Sequence, residues 1–384
     1  MNIVFISCTE NYPNSFSANN TKIEYLSRGL IEQGHSVCII GRINGSTSIE
    51  NDLNIKSKYG ANCFLFTQKG NKIITALKNL YKQLSLLKKI GKKQEENILI
   101  LDVGFFMTLV IYKICAILFN YKIVHIITEW HEQKKDLWHK NLNIYIYLHL
   151  FGYFVDAILP ISNSILQHIA HFKKPMLKIP ILSEYKPLNN QDASNNQIQF
   201  TYCANGGYIR IVSFVLSAMK IVNSHYPKAK LTLILYGRED AINKIRNNIK
   251  ISGQEQNVEI LQDVSQEILF NIYKNSIGLL IPLDPNSIQD QNRFSQKIAE
   301  YISTGRPIIT SPVGEVKYYF KNIENAIFAK EFKEESYAEA ILWVINNPEK
   351  ARIIGIKGYE LGVENFNYKK MAQDMERFIS NLIS

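Results

Sequence analysis

The stretch Arg293–Glu315, RFSQKIAEYISTGRPIITSPVGE, decides how this chain is read. An apolar run, Ile277 to Leu283, enters it through Asp284-Pro285 and reads as a buried strand. From Ser295 the residues predict a short helix, with Ser295 as its N-cap and Gly305 as a left-handed stop. Pro307 to Ser311 reads as the next buried strand. This layout places Glu300 on the helix about one turn in, with Lys297 one turn earlier on a neighbouring face. A helix N-terminus offers free amides and the positive end of a dipole to a phosphate. A carboxylate accepts two hydrogen bonds from a cis-diol such as a ribose. Diphosphate plus ribose is a nucleotide, so the stretch reads as half of a nucleoside diphosphate site.

The pattern K-x-x-E-Y-x-x-x-G-x-P-I-I, Lys297 to Ile309, resembles the donor-site signature of GT-B glycosyltransferases. It is most similar to the retaining family-4 group that builds bacterial surface polysaccharides. The resemblance implies that Glu300 holds the donor ribose. The family places a second glutamate eight positions earlier, and here Asn292 stands there, an amide that still hydrogen-bonds sugar hydroxyls.

At 384 residues the chain is long enough for two domains, each with its own core. Hydrophobic content of 46% and charged content of 20% are those of a soluble globular protein. A net charge of +10 points to anionic partners: nucleoside diphosphates or phospholipid surfaces. Nucleic acid is not expected, since no binding module or long basic block is present. The five cysteines, Cys8, Cys38, Cys63, Cys115 and Cys203, are scattered and suit reduced thiols in a cytoplasmic protein. Asn2 to Ile6 runs straight into polar Thr9-Glu10-Asn11, which does not read as a signal peptide. Val103–Tyr121, broken by Lys113, and Asn141–Val155 fall short of a spanning helix.

Asn2–Ser7, a helix to about Gln33 and Val37–Ile40 form a Rossmann-like βαβ opening. The first loop, with Ser15-Phe16-Ser17-Ala18-Asn19, stands where the family carries a glycine pair and is expected to face the acceptor. Cys63–Thr67 is expected as the third strand. Lys72 to Lys93 is a helix with Ile73, Leu77, Leu80, Tyr81, Leu84 and Leu87 along one stripe. It also carries seven lysines and no acidic residue. Such a helix suits either an anionic membrane surface or packing on the core, and the sequence leaves both open. Asn97–Leu101 is a strand, Gly104 opens an apolar helix to about Phe119, and Ile123–Thr128 is a further strand. That last strand delivers Glu129-Trp130-His131-Glu132 to its C-terminal end. By resemblance, Glu129 and His131 face the donor, and an imidazole beside a carboxylate at a strand end suits proton handling or phosphate contact. His168 and His171, three apart, have no accompanying carboxylate pair and read as structural. No metal site is expected.

Asp156–Ser162 resembles the last strand of the family's first domain, and Pro175, Pro180 and Pro187 punctuate a linker. The expected domains are 1–185 and 186–365, with the helix 366–384 packing back on the first. The second domain opens with a strand, Ile198–Cys203, followed by Gly206-Gly207 and Arg210. A glycine pair lets backbone approach a phosphate, and arginine clamps it bidentately. The family puts its diphosphate loop here. Val258–Ser265, including Val264, matches the strand and loop that read the nucleotide base.

The fold class that follows is α/β, two Rossmann-like domains facing across a cleft. The resemblance implies transfer of a sugar from a nucleotide sugar to a hydroxyl of a glycan or lipid-linked glycan, without a metal or other cofactor. Glu129, His131, Arg210 and Lys297 would act in the chemistry. Gly206, Gly207, Arg210, Asn292, Ser295, Lys297, Glu300 and Val264 would bind the donor, with the Gly314-Glu315 loop bordering the sugar. The protein would be cytoplasmic, with peripheral contact at the inner membrane face. A sugar-nucleotide 2-epimerase and a non-catalytic partner subunit of the same fold stay open as alternatives.

Overall fold

The structure, a computed structural model, describes residues 1–10, 17–43, 52–67, 72–91, 96–130, 138–188 and 197–383. The chain divides into two units. Unit 1 holds Met1–Leu182, Asn292–Phe294 and Tyr368–Ser384, and unit 2 holds Ser183–Gln291 and Ser295–Asn367.

Unit 1 begins with β1 (Asn2–Glu10), α1 (Ala18–Glu32) and β2 (Ser36–Ile43). Next come β3 (Leu53–Lys56), β4 (Asn62–Thr67) and α2 (Lys72–Ile90). β5 (Asn97–Leu101), α3 (Phe106–Phe119) and β6 (Tyr121–Ile127) follow. The series continues with α4 (Trp138–Leu150), a 3₁₀ turn at Phe151–Phe154, β7 (Ala157–Pro160) and α5 (Asn163–Ile169). The seven strands order as β3-β4-β2-β1-β5-β6-β7, parallel throughout except for the β3–β4 pair. Helices cover both faces of a parallel sheet, so its central strands need apolar side chains on both sides. Asn97–Leu101 is accordingly buried at every position. The third parallel strand is β4, as Cys63–Thr67 predicts. The antiparallel edge strand β3 was not expected, because LNIK is only four residues long with alternating exposure.

Unit 2 opens with β8 (Gln199–Asn205), α6 (Ile209–His225) and β9 (Lys230–Tyr236). α7 (Glu239–Ile251), β10 (Val258–Gln262), α8 (Gln266–Asn275) and β11 (Gly278–Ile281) follow. The short elements α9 (Ile288–Asn292), α10 (Gln296–Ile302), β12 (Ile308–Thr310), α11 (Val316–Tyr319) and β13 (Ile327–Phe328) come next. α12 (Glu334–Asn346) and α13 (Pro348–Asn365) complete the unit, and α14 (Tyr368–Ile383) returns to unit 1. The sheet is parallel in the order β10-β9-β8-β11-β12-β13. The strand expected at Ile277–Leu283 narrows to Gly278–Ile281, since Pro282 has no amide for the ladder. The left-handed stop at Gly305 is present, with φ +72.

In both sheets the order reverses beside the unit's first strand: between β1 and β5 in one, between β8 and β11 in the other. Ligands of open α/β sheets bind beyond the strand C-termini at such a reversal.

Two features of unit 1 bear on later arguments. α14 lies close against α1, where a Cβ placed on Gly29 would come 2.3 Å from the Cβ of Ala372. Tyr368 fixes this contact, stacking on Tyr25 at 5.4 Å and donating its hydroxyl to Glu32 at 3.0 Å. In α2 the expected apolar stripe splits: Leu87 is buried and Leu80 and Leu84 are half-buried, while Leu77 and Tyr81 are exposed. The Ile73 side chain lies outside the described residues.

Candidate functional site

In unit 2, β8 ends at Asn205 and turns through Gly206-Gly207-Tyr208 into α6, which opens at Ile209 with no side-chain cap. Its first-turn amides therefore stand at the strand end, where the helix dipole favours an anion. Arg210 lies in that first turn and pairs with Asp284, three residues beyond β11. The pair thus spans the sheet's reversal point. Asp284 is buried at 7% side-chain exposure while Arg210 keeps 68%. The remaining oxygen of Asp284 accepts the Asn286 amide at 2.9 Å, and its own amide donates to Asp290 at 3.0 Å. A carboxylate tied into its loop in this way positions the guanidinium, which retains donors facing solvent.

The two glycine amides are engaged. Gly206 N–H donates to the Tyr236 carbonyl at 2.7 Å, and Gly207 N–H to Asn205 Oδ1 at 2.8 Å. Gly206 is needed for space, since a Cβ there would come 2.9 Å from Ile242. Gly207 is exposed.

Lys297 and Glu300 lie on α10, one turn apart as predicted. Both reach the electrostatic surroundings of Cys203 on β8, and Glu300 also those of Tyr236 at the end of β9. Beneath them Tyr301 is fully buried, takes the Cys203 amide on its hydroxyl at 2.9 Å and meets the Tyr273 ring edge-on at 4.8 Å. Burial pushes the Glu300 carboxyl up to about 7, with Lys297 pulling the other way. Ser295 stands at the N-cap with extended backbone but makes no side-chain cap bond. Val264 follows Asp263, whose φ of +49 turns the chain sharply after β10. Gly314 has φ +56, and a Cβ there would sit 2.3 Å from the Asp290 carbonyl, so this turn admits glycine alone. The adjoining Glu315 is buried.

Asn292 groups with unit 1. Its side-chain oxygen accepts the Ser164 hydroxyl at 2.5 Å and its carbonyl the Ser162 hydroxyl at 2.6 Å. The amide is buried and occupied there.

In unit 1 the reversal point carries Asp102, directly after β5, and Asn19 in the first turn of α1, which donates to the Asp102 carboxylate. Lys22, one turn on, is buried and donates to the Ile179 carbonyl at 2.6 Å. Burial pushes Asp102 up to about 6, Asn19 and Lys22 counteracting, and Glu129 adds to the rise. Burial holds Lys22 down at about 7, opposed by Asp102. Glu129 is exposed just past β6. His131 lies outside the described residues, as do positions 11–16 of the first loop. Among the described residues no group of three or more His, Cys, Asp or Glu stands ready to hold a metal ion.

Sequence reading missed Asp284 and Asp102. Each is the first acidic residue after a buried apolar strand, at a sheet reversal, and the topology once drawn would have singled out both. Lys22 carries no such signal.

Comparison with known proteins bears on the whole. Residues 200–347 match the family model described as glycosyl transferases group 1. No curated protein matches the sequence. Among solved structures, HepE of Anabaena in complex with UDP and glucose superposes with a TM-score of 0.73 at 12% identity, over 98% of this chain and 99% of that one. Sucrose-phosphate synthase from Thermosynechococcus elongatus gives 0.75 at 15% identity, over 100% and 99%. The pneumococcal O-GlcNAc transferase GtfA, in complex with UDP and GlcNAc, gives 0.71 at 10%, over 100% and 99%. The chain has the GT-B fold that the resemblance of Lys297–Ile309 implies.

Proposed function

We propose that this protein transfers a glycosyl unit from a nucleoside diphosphate sugar to a hydroxyl acceptor. The observation that carries the reading is the Arg210–Asp284 pair at the reversal of unit 2, inside the segment that matches a glycosyltransferase family. In the reaction the bond between the sugar's anomeric carbon and the diphosphate breaks, and a bond to the acceptor oxygen forms. The acceptor gives up its proton, and the diphosphate leaves with added negative charge. Arg210 and Lys297 stabilise that charge, which is the largest contribution the site makes to the barrier. The α6 first-turn amides add to it. Gly207 joins only by exchanging Asn205 for a phosphate oxygen.

Glu300 accepts both ribose hydroxyls, and Val264 borders the base. Ser295 and the Gly314-Glu315 loop sit at the edge of the donor. In unit 1 Glu129, His131 and Asp102 are the groups suited to bind the acceptor hydroxyl and take its proton. Retention of configuration, and a glycan or lipid-linked glycan acceptor in surface polysaccharide assembly, follow from the resemblance. The UDP and UDP-sugar ligands named for HepE support a nucleotide sugar as donor.

Incubating the purified protein with a panel of sugar nucleotides tests the reading. Release of nucleoside diphosphate with transfer or hydrolysis is expected. Binding without turnover would make it a non-catalytic subunit, and inversion at C2 an epimerase.

A further inference from the structure

One face of unit 1 is apolar to a degree that its fold does not require. Of the twenty large hydrophobic side chains exposed among the described residues, twelve lie between positions 74 and 153, on α2, α3 and its N-cap Phe105, α4 and the following 3₁₀ turn. The centre is α3, FMTLVIYKICAILF, which is apolar on every side except at Thr108 and Lys113. One face, Leu109, Tyr112, Cys115 and Ala116, packs inward. The opposite stripe, Met107, Ile114, Ile117 and Leu118, faces solvent, with Ile117 at 72% and Leu118 at 69% exposure. A surface helix of a soluble domain normally carries charges there.

Neighbouring helices extend the face. Tyr112 of α3 bonds Gln83 of α2, and the Phe106 amide bonds Asn143 of α4 at 3.3 Å. Phe106 also meets Phe154 edge-on at 5.2 Å. Leu77 and Tyr81 on α2 and Tyr145 and Tyr153 on the other flank are exposed as well. Exposed apolar side chains gathered on adjoining helices in this number mark an interaction surface.

Charge identifies the occupant. The sequences of α2, α3 and α4 contain no aspartate or glutamate, while Lys78, Lys88 and Lys89 are exposed along α2. We infer that this face lies on an anionic lipid surface, α3 at its centre, with lysines against phosphate headgroups and tyrosines at the polar boundary. A second copy is a poor fit, because these helices carry cations and no carboxylate, so a self-complementary interface would offer the lysines no opposite charge. Spanning is excluded for these helices: fourteen residues of α3 reach about 21 Å, short of the roughly 30 Å hydrocarbon core. The inference deepens the lipid-linked acceptor reading above but rests on the surface alone, so it is tested without any sugar nucleotide.

The test is flotation of the full chain with vesicles of phosphatidylglycerol and phosphatidylcholine, against phosphatidylcholine alone. Wild type should float with the anionic vesicles, and I117E/L118E should bind at least about tenfold more weakly. Its melting temperature should be unchanged, since both side chains are exposed. K78Q/K88Q/K89Q should lose the preference for phosphatidylglycerol. I251E, at an equally exposed isoleucine of unit 2, should float as wild type does. Wild type that ignores anionic vesicles at low salt would overturn the proposal. So would a dimer in sedimentation that I117E/L118E dissolves, since that would make a second copy the occupant.

Discussion

Asp284 holds Arg210 across the reversal point of the unit 2 sheet, a buried carboxylate tying down an exposed guanidinium. The asymmetry separates their roles. Arg210 has donors left for a ligand, whereas Asp284 spends one oxygen on Arg210 and the other on the Asn286 amide. Arg210→Ala should weaken nucleoside diphosphate binding by about 10- to 100-fold, the range of a lost charge-assisted hydrogen bond, and leave the nucleoside nearly unaffected. Asp284→Asn should weaken the same ligand by less, because the arginine remains but loses its anchor. Calorimetry with both ligands decides. Equal losses for nucleoside and diphosphate would remove Arg210 from the phosphate site.

Glu300 should make donor affinity depend on pH. Burial places its carboxyl at about 7 in the free protein, and a ribose diol is held best by the ionised form. Affinity for the nucleoside, which has no phosphate to titrate, should rise as pH increases from 6 to 8 and level off above. Glu300→Gln should lie below wild type by about 1.5–3 kcal/mol at pH 8 and show a flat profile. A wild-type profile that is already flat would mean that Glu300 does not touch the sugar.

How much of this was legible beforehand follows from what each residue's signal depends on. Lys297 and Glu300 sit on a helix whose stop glycine and flanking apolar strands are local, so their placement could be read off the chain. Glu300's raised proton affinity could not, because it arises from burial near β8, almost a hundred residues earlier in sequence. The glycine pair shows the converse. Its position was legible, but the engagement of both amides depends on the Tyr236 carbonyl and the Asn205 side chain. Asn292, matched to a family glutamate, is held by Ser162 and Ser164. The helix stripe on α2 was legible as periodicity. Its outward-facing half depends on how far α3 and the sheet cover it.

Gly29 offers a test of the α1–α14 contact. Alanine favours an exposed helix interior by about 1 kcal/mol over glycine, yet here its Cβ would collide with Ala372. Gly29→Ala should therefore destabilise unit 1. Adding Ala372→Gly should restore much of the loss, a coupling of about 0.5–3 kcal/mol between the two sites. Urea unfolding of the four proteins of the cycle gives the number. Strict additivity would show that the helices separate at no cost.

His125 should impose an acid limit on unit 1. It is fully buried, and Nδ1 lies 2.7 Å from the Leu101 carbonyl, which can only accept, so that nitrogen carries the proton. Nε2 then accepts from the Tyr147 hydroxyl at 2.5 Å. Burial holds the imidazole's pKa down at about 4, against an ordinary value near 6.5. Between these values the unfolded chain binds the proton and the folded chain does not, so stability falls as pH drops through this window. The loss between pH 7.5 and 4.5 should be about 2–3 kcal/mol. Asp102 and Glu24, raised by burial to about 6 and about 7, act in the opposite direction, so the histidine is isolated by difference. In a Trp343→Phe background the remaining tryptophans, Trp130 and Trp138, belong to unit 1 and report its unfolding. Over that pH range the parent should lose about 2–3 kcal/mol more than the same protein carrying His125→Gln, which keeps hydrogen-bonding capacity without the titration. Parallel pH profiles for the two would mean that the imidazole is protonated in the folded chain.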